Sequence, residues 1–301
     1  MKVSVIIVSY NFEKWIDRCL GSLRRSTHPV SVIVVDNGSK DHTVQIIEKK
    51  YPEVHLIKTG KNLGFGKANN IGIRCAMEQG ADYLFLLNQD AWLSEKTIQT
   101  LLTLFKEHPE YGILSPTHLN GKGDKPDFGF STYSGMKEME EFVAMQQERE
   151  VITLKFINAA FWMIPSHVLN KVGGFSPLFY HNGEDIDYIN RLHFHGLLLG
   201  YSPHVFGYHD RENREMTRKN FLRLEKVYHL SEYANINYPF SKAFAYGVLA
   251  GIKKALQALG KGKMANFGAY LSICCGLLCK TRTIIRIRNK NKKEALNYIR
   301  P

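Results

Sequence analysis

Residues Val3 to Val8 form a β-branched run, and Glu13 to Leu23 then sets Trp15, Ile16, Cys19, Leu20 and Leu23 on one helical face. The spacing predicts strand, loop, helix. The unit recurs as Val32 to Val35 with Thr43 to Lys50, and as Val54 to Ile57 with Gly66 to Met77. A fourth copy pairs Tyr83 to Leu87 with Glu95 to Lys106, Ser94 being placed to cap that helix. Runs such as VIIV and VIVV do not alternate, which suits strands covered on both faces. The expected fold class is α/β, a mainly parallel sheet flanked by helices.

Residues 120 to 150 break the pattern: GKGDKPDFGFSTYSG is rich in turn formers and KEMEEFVAMQQERE is polar with weak periodicity. A surface excursion, a flexible loop, is expected there. Apolar character returns at Phe156 to Ile164, and Tyr180 to Arg191 gathers Glu184, Asp185 and Asp187. The composition shifts again near residue 240, which divides the chain into a main domain, 1–240, and a basic amphipathic helical extension, 241–301.

Charge sharpens that division. Of 40 Lys and Arg and 28 Asp and Glu, 27 of each sign precede residue 241, leaving 13 basic residues and one acid beyond it. A body so balanced disfavours nucleic acid as a partner, because readers of DNA or RNA carry basic surface on the folded module itself. Five cysteines without a CxxC pair, and a beginning on a strand with no leader pattern, favour a reducing, cytoplasmic setting. No run of 18 apolar residues predicts a spanning helix.

Ligands of doubly wound sheets bind beyond the C-terminal strand ends. The clusters expected there are Ser9-Tyr10-Asn11, Asp36-Asn37-Gly38-Ser39 and Asn88-Gln89-Asp90. A P-loop is absent, and Gly64-Phe65-Gly66 lacks the third glycine of a dinucleotide fingerprint, Asn69 standing in its place. Asp36 can hydrogen-bond a ribose or base, or cap the helix at Thr43. Asp90 follows the most apolar strand, where a diphosphate and a hard cation such as Mg2+ or Mn2+ could sit, or it caps its loop. In GEDIDYINR the three acids raise one another's proton affinity, as a general base requires, or decorate a helix N-terminus; Asp187 and Arg191 are spaced to pair on that helix.

Taken in order, VSVIIVSYN, VVDNGSKDHT, NLGFGKANNIGI, LFLLNQDAWL, VGGFSPLFY, GEDIDYINR and the late His209 resemble the family 2 glycosyltransferases of the GT-A fold. The resemblance covers about residues 1 to 215 and is nearest to bacterial rhamnosyltransferases of cell-envelope polysaccharide synthesis. It implies an inverting, sugar-nucleotide-dependent transferase. Ser9, Tyr10, Asn11, Asp36, Asn62, Gly64 and Lys67 would then hold the nucleotide. Asn88, Asn158, Ala159, Asp187 and Arg191 would lie near donor sugar and acceptor. Asp90 and His209 would hold the metal, Asn88 replacing the first acid of a DxD-like motif. Asp185 would be the base, with Glu184 its rival. The implied partners are a dTDP- or UDP-linked sugar and a glycan or polyprenyl-linked acceptor.

The extension places Phe244, Val248, Ile252, Leu256 and Leu259 on a glycine-interrupted helix, followed by a mainly apolar stretch, Ala265 to Leu278, and then KTRTIIRIRNKNKK. Such a pattern suits a helix lying on an anionic membrane surface, at the inner face of the cytoplasmic membrane. A helical cap on the core or an oligomer contact would show the same pattern. The rival functions are a catalytically silent sugar-nucleotide-binding protein with an assembly role, suggested by Asn88, and an RNA-binding protein, which lacks any stacking motif.

Overall fold

A computed structural model describes residues 1–211 and 216–299. Among the described residues nine strands form one sheet: β1 (Val3–Ser9), β2 (Val30–Asp36), β3 (His55–Lys58), β4 (Tyr83–Asn88), β5 (Ala91–Leu93), β6 (Tyr111–Asn120), β7 (Ile152–Leu154), β8 (Phe161–Pro165) and β9 (Leu198–His209). Their order is β3-β2-β1-β4-β8-β6-β9-β5, with β7 paired to β9. β1 to β4 are mutually parallel, in the repeat that the hydrophobic runs predict. β8 then runs antiparallel to both β4 and β6. β6 and β9 are parallel to one another, and β5 returns antiparallel on β9.

Alternate residues of the central strands feed two separate cores. Ile6, Leu84 and Leu86 pack with Ile73 and Ala76 of helix Phe65–Glu78 and with Tyr188 and Leu192 of helix Glu184–Phe194. Val5, Ile7, Phe85 and Leu87 pack on the other face with Cys19 and Leu20 of helix Ile16–Arg24 and with Leu101 and Phe105 of helix Thr97–Glu107. Both faces of these strands are therefore dry, which is why their sequences do not alternate.

Two local expectations need correction. Helix Thr97–Glu107 is preceded by Lys96, and Ser94 instead hydrogen-bonds the Thr97 hydroxyl at 2.7 Å. The 120–150 stretch is not a loop excursion: it contains helices Phe128–Ser134 and Met139–Glu148. Phe130 is fully buried against His118 and Tyr201, while Asp127 caps the first of these helices by accepting from Phe130 N at 3.0 Å. One aromatic in a turn-rich string is a weak periodic signal but a strong anchor.

The C-terminal helices pack as a third cluster, in which Val248, Ala255, Ile273, Leu277 and Ile284 meet Leu230 and Tyr233 of helix Arg218–Ala234. The residue-240 boundary thus falls between elements that share one core. The chain end returns to the sheet domain: Gly174 N donates to Asn297 O at 2.7 Å, and Ile299 is buried in the first core. No helix among the described residues is long and apolar enough to cross a membrane.

Candidate active site

The strand order reverses between β1 and β4, and the crevice opens there, at their C-terminal ends. Its two lips are tied together, since Tyr10 N donates to Gln89 Oε1 at 2.7 Å and Gln89 Nε2 donates back to Tyr10 O at 3.2 Å. Half of the crevice, about 790 Å³, is lined by Tyr10, Asn37, Asn62, Gly64, Tyr180 and Asn88, with Arg223, Lys226 and Lys280 among its cations. Asn62 Oδ1 organises one wall by accepting from Gly64 N at 2.9 Å and from Asn37 Nδ2 at 3.1 Å. Gly64 has φ +82°, and a Cβ there would meet Tyr180 O at 2.3 Å, so only glycine lets this loop close on Tyr180.

Several residues expected at the nucleotide lie beneath or beside this wall. Asp36 is 3% exposed, and its carboxylate takes Ser9 Oγ at 3.2 Å, Gly38 N at 3.3 Å, Ser39 N at 3.2 Å and the Ser39 hydroxyl. It shapes the turn that presents Asn37. The cap at Thr43 is supplied by Asp41, whose Oδ1 accepts from Thr43 N at 3.1 Å. Ser9 is buried, Asn11 at φ +54° accepts from Lys40 N, and Lys67 is exposed outside the crevice lining.

The other half, about 430 Å³, is lined by Asn88, Asp90, Asn158, Ala159, Glu184, Asp185 and His209, joined by Trp15, Phe65, His181, Asn182 and Arg211. β5 and β9 bring Asp90 and His209 together, with 3.2 Å from Asp90 Oδ1 to His209 Nε2. Behind the imidazole, Arg211 Nη2 lies 3.5 Å from Nδ1, and the buried Asp127 carboxylate stands 3.9 Å from Nδ1 and 3.5 Å from Arg211 Nε. Asp127 and Arg211 carry no motif of their own in the sequence. Only the pairing of β6 with β9 makes them neighbours of the site.

Opposite stand the acids of helix Glu184–Phe194. Glu184 is 6% exposed; burial first, then the Asp185 charge, pushes its carboxyl up to about 7, although backbone N–H groups pull the other way. Asp185 is also raised by burial, against hydrogen bonds such as Ile186 N at 2.8 Å and the field of Arg211. Both therefore hold protons more tightly than surface carboxylates, as a base working near neutrality must. Asp187 and Arg191 do not line this crevice. They form a buried ion pair of 2.9 Å, and the guanidinium also donates to Val172 O at 2.5 Å and Gly174 O at 2.9 Å.

Among the described residues, the one cluster of three His, Cys, Asp or Glu side chains within ligating distance is Glu107, His108 and Glu150, which lines neither half of the crevice. In the crevice itself, Asp90 and His209 form a pair to which Asn88 can add an amide oxygen. That oxygen-and-nitrogen donor set suits a divalent cation.

A crevice at the strand-order reversal is where open α/β sheets bind their ligands. The chain belongs to glycosyl transferase family 2, whose sequence profile matches residues 4–173. It is 28% identical over 230 residues to the N-acetylglucosaminyl-diphospho-decaprenol L-rhamnosyltransferase of Mycobacterium tuberculosis, a match spanning 66% of this chain and 73% of that protein. It is 30% identical over 131 residues to the Staphylococcus aureus poly(ribitol-phosphate) beta-N-acetylglucosaminyltransferase TarS, covering 41% of this chain and 22% of that one. The crystal structure of S. aureus TarS 1–349 in complex with UDP superposes with a TM-score of 0.56 at 16% identity, over 97% of this chain and 90% of that chain. The GT-A fold expected from the motifs is the fold observed.

Proposed function

We propose that the protein is an inverting glycosyltransferase of cell-surface polysaccharide synthesis. Its donor in this reading is dTDP-rhamnose, with a UDP-hexose second, and its acceptor is a glycan or polyprenyl-linked glycan. One observation carries the reading: two carboxyls of raised proton affinity, Glu184 and Asp185, share a cavity with Asn88, Asp90 and His209 at the mouth of a nucleotide-sized crevice. The relatives named above, a rhamnosyltransferase and an N-acetylglucosaminyltransferase, support the substrate class.

In this reading Tyr10, Asn37 and Asn62 line the nucleoside side, and Arg223, Lys226 and Lys280 supply positive charge to the diphosphate. Asp185 takes the proton of an acceptor hydroxyl as its oxygen bonds to the anomeric carbon. The bond from that carbon to the diphosphate oxygen breaks on the opposite face, and the electron pair leaves with the nucleoside diphosphate. Asp90 and His209, with Asn88, would hold a Mg2+ or Mn2+ ion, which when bound neutralises charge on the leaving diphosphate. Asn158 and Ala159 border the donor sugar.

A nucleotide-sugar panel followed by thermal shift, with and without Mn2+, tests the donor, since a ligand of the native state raises Tm by mass action. A shift with dTDP-rhamnose or a UDP-hexose, and a product of inverted anomeric configuration by NMR, is expected. Retention of configuration would overturn the mechanism. Binding without turnover for every donor and acceptor would favour the silent sugar-nucleotide-binding reading, which Asn88 in place of an acid motivates.

The membrane reading of the extension has support of its own. From residue 241 to 293 there is no acid, and Leu249, Leu256, Leu259, Met264, Leu278 and Ile285 are all exposed. Lys253, Lys261, Lys263, Arg282 and Arg286 are exposed among them. Each such cation near anionic lipid contributes roughly 1 kcal/mol. Truncation at 240 is a poor test, because Asn297 and Ile299 pack on the sheet domain. The full chain is expected to float with phosphatidylglycerol vesicles and the doubly substituted Leu256→Asp, Met264→Asp protein to remain below; equal flotation would remove the membrane partner.

A further inference from the structure

His209 offers a cation the lone pair of Nε2, the nitrogen that faces Asp90 Oδ1 at 3.2 Å. The ring proton must then sit on Nδ1. An Nδ1–H needs an acceptor, and at 3% exposure the imidazole has to find it in the protein. Two groups stand at Nδ1 among the described residues: Arg211 Nη2 at 3.5 Å, and the Asp127 carboxylate with Oδ2 at 3.9 Å. A guanidinium has donors alone, so the acceptor is Asp127.

Capping does not explain a carboxylate at this position. Helix Phe128–Ser134 requires one oxygen at its start, which Asp127 Oδ1 supplies to Phe130 N at 3.0 Å, and Ser, Thr or Asn would serve as well. The second oxygen is left to face Arg211 Nε, at 3.5 Å, and His209. Asp127 is 2% exposed, and its backbone is pinned to the sheet, since its N–H donates to His118 O at 2.9 Å. A fixed, buried carboxylate behind a histidine is the usual device for orienting a metal-ligating imidazole. We propose that Asp127 is a positioning residue, which holds the His209 proton on Nδ1 and so presents Nε2 to the divalent cation of the crevice. The gap to Nδ1 is about 1 Å longer than a hydrogen bond, and a tilt of the imidazole closes it as Nε2 turns from Asp90 to the cation. Arg211, which lines the crevice, keeps Oδ2 aimed at the ring. The inference rests on the metal-assisted glycosyltransferase reading and gives the 120–150 segment a part in it.

Two variants separate orientation from capping. Asp127→Asn keeps the cap but turns a donor amide toward Nδ1, which moves the ring proton to Nε2 and blocks ligation; Asp127→Ser keeps the cap and reaches neither His209 nor Arg211. Mn2+ titrated into the full chain with UDP present, and followed by electron paramagnetic resonance, reads the effect without turnover. Parent and variants all carry His108→Gln, which takes the nitrogen out of the Glu107, His108 and Glu150 cluster. Both variants are expected to weaken Mn2+ binding about tenfold or more, with Tm within about 3 °C of the parent. In 15N NMR of the Mg2+-loaded proteins, His209 is expected to carry its proton on Nδ1 in the parent and on Nε2 in Asp127→Asn. Mn2+ affinity in Asp127→Asn within about twofold of the parent would overturn the proposal and leave Asp127 a helix cap. A parent that binds no Mn2+, or one whose His209 is protonated on Nε2 with Mg2+ bound, would overturn it too. The transferase reading fails on a separate observation, the absence of nucleoside diphosphate release from any donor, on which the resonance titration does not depend.

Discussion

Glu184 and Asp187 stand one turn apart on the same face of one helix, 6% and 4% exposed, and burial raises the proton affinity of both, but only Asp187 has a cation bonded to it. Asp187 meets the Arg191 guanidinium at 2.9 Å, and that guanidinium spends its remaining donors on Val172 O and Gly174 O. Every charge there is matched, and the pair fastens the helix to the loop beyond helix Ser166–Val172. Among the described residues Glu184 has no cation against it and one of its oxygens is unpartnered, and its carboxyl rises to about 7. Burial alone therefore does not separate a structural acid from a chemical one. What separates them is whether the fold supplies a counter-charge.

Paired substitutions break this comparison most sharply. Asp185→Asn is expected to lower kcat by about a thousandfold, within the range for losing a positioned general base. Its Tm should hold or rise, because a desolvated charge is gone. Asp187→Asn is expected to do the reverse: stability falls by about 3–5 kcal/mol because Arg191 is left buried and unmatched. Product assays and thermal melts on the two proteins check both. Retained transfer in Asp185→Asn would move the base to Glu184, and an unshifted melt in Asp187→Asn would deny the pair its structural role.

How much of this was legible beforehand follows the range of the interactions. Helix Thr43–Lys50 and the parallel strands β1 to β4 are local periodic signals, and the structure has them within a few residues of where the pattern sets them. The i,i+4 spacing of Asp187 and Arg191 likewise anticipates their bond. The side of the site on which a residue falls was not legible. Asp36 ends a strand pointing at the crevice, yet the polar groups of its own turn and Ser9 consume its carboxylate, a competition that a motif does not display. Asp127, Arg211 and the cations Arg223, Lys226 and Lys280 reach the crevice or its supporting shell only through long-range packing. Lys280 in particular arrives from the extension, so the charge split near residue 240 hides a contribution to the crevice.

Glu184→Gln gives the smallest effect, and its sign is fixed by linkage. The carboxyl titrates near 4.5 when exposed and at about 7 in the folded chain, chiefly because burial disfavours the anion. Folding therefore takes up a proton between these values. The folded state gains from this group below pH 4.5 and loses that gain as pH rises through about 7, a change on the order of 3 kcal/mol. An amide carries no such dependence. The Tm of Glu184→Gln, measured beside the parent protein at pH 5, 6, 7 and 8, is expected to climb relative to it across the series and to level off above 7. Asp187→Asn should lie below the parent at every one of these pH values, since Arg191 keeps its charge throughout. A constant gap for Glu184→Gln would mean that some cation or donor already compensates Glu184. The two acids would then be alike in having their charge compensated within the fold.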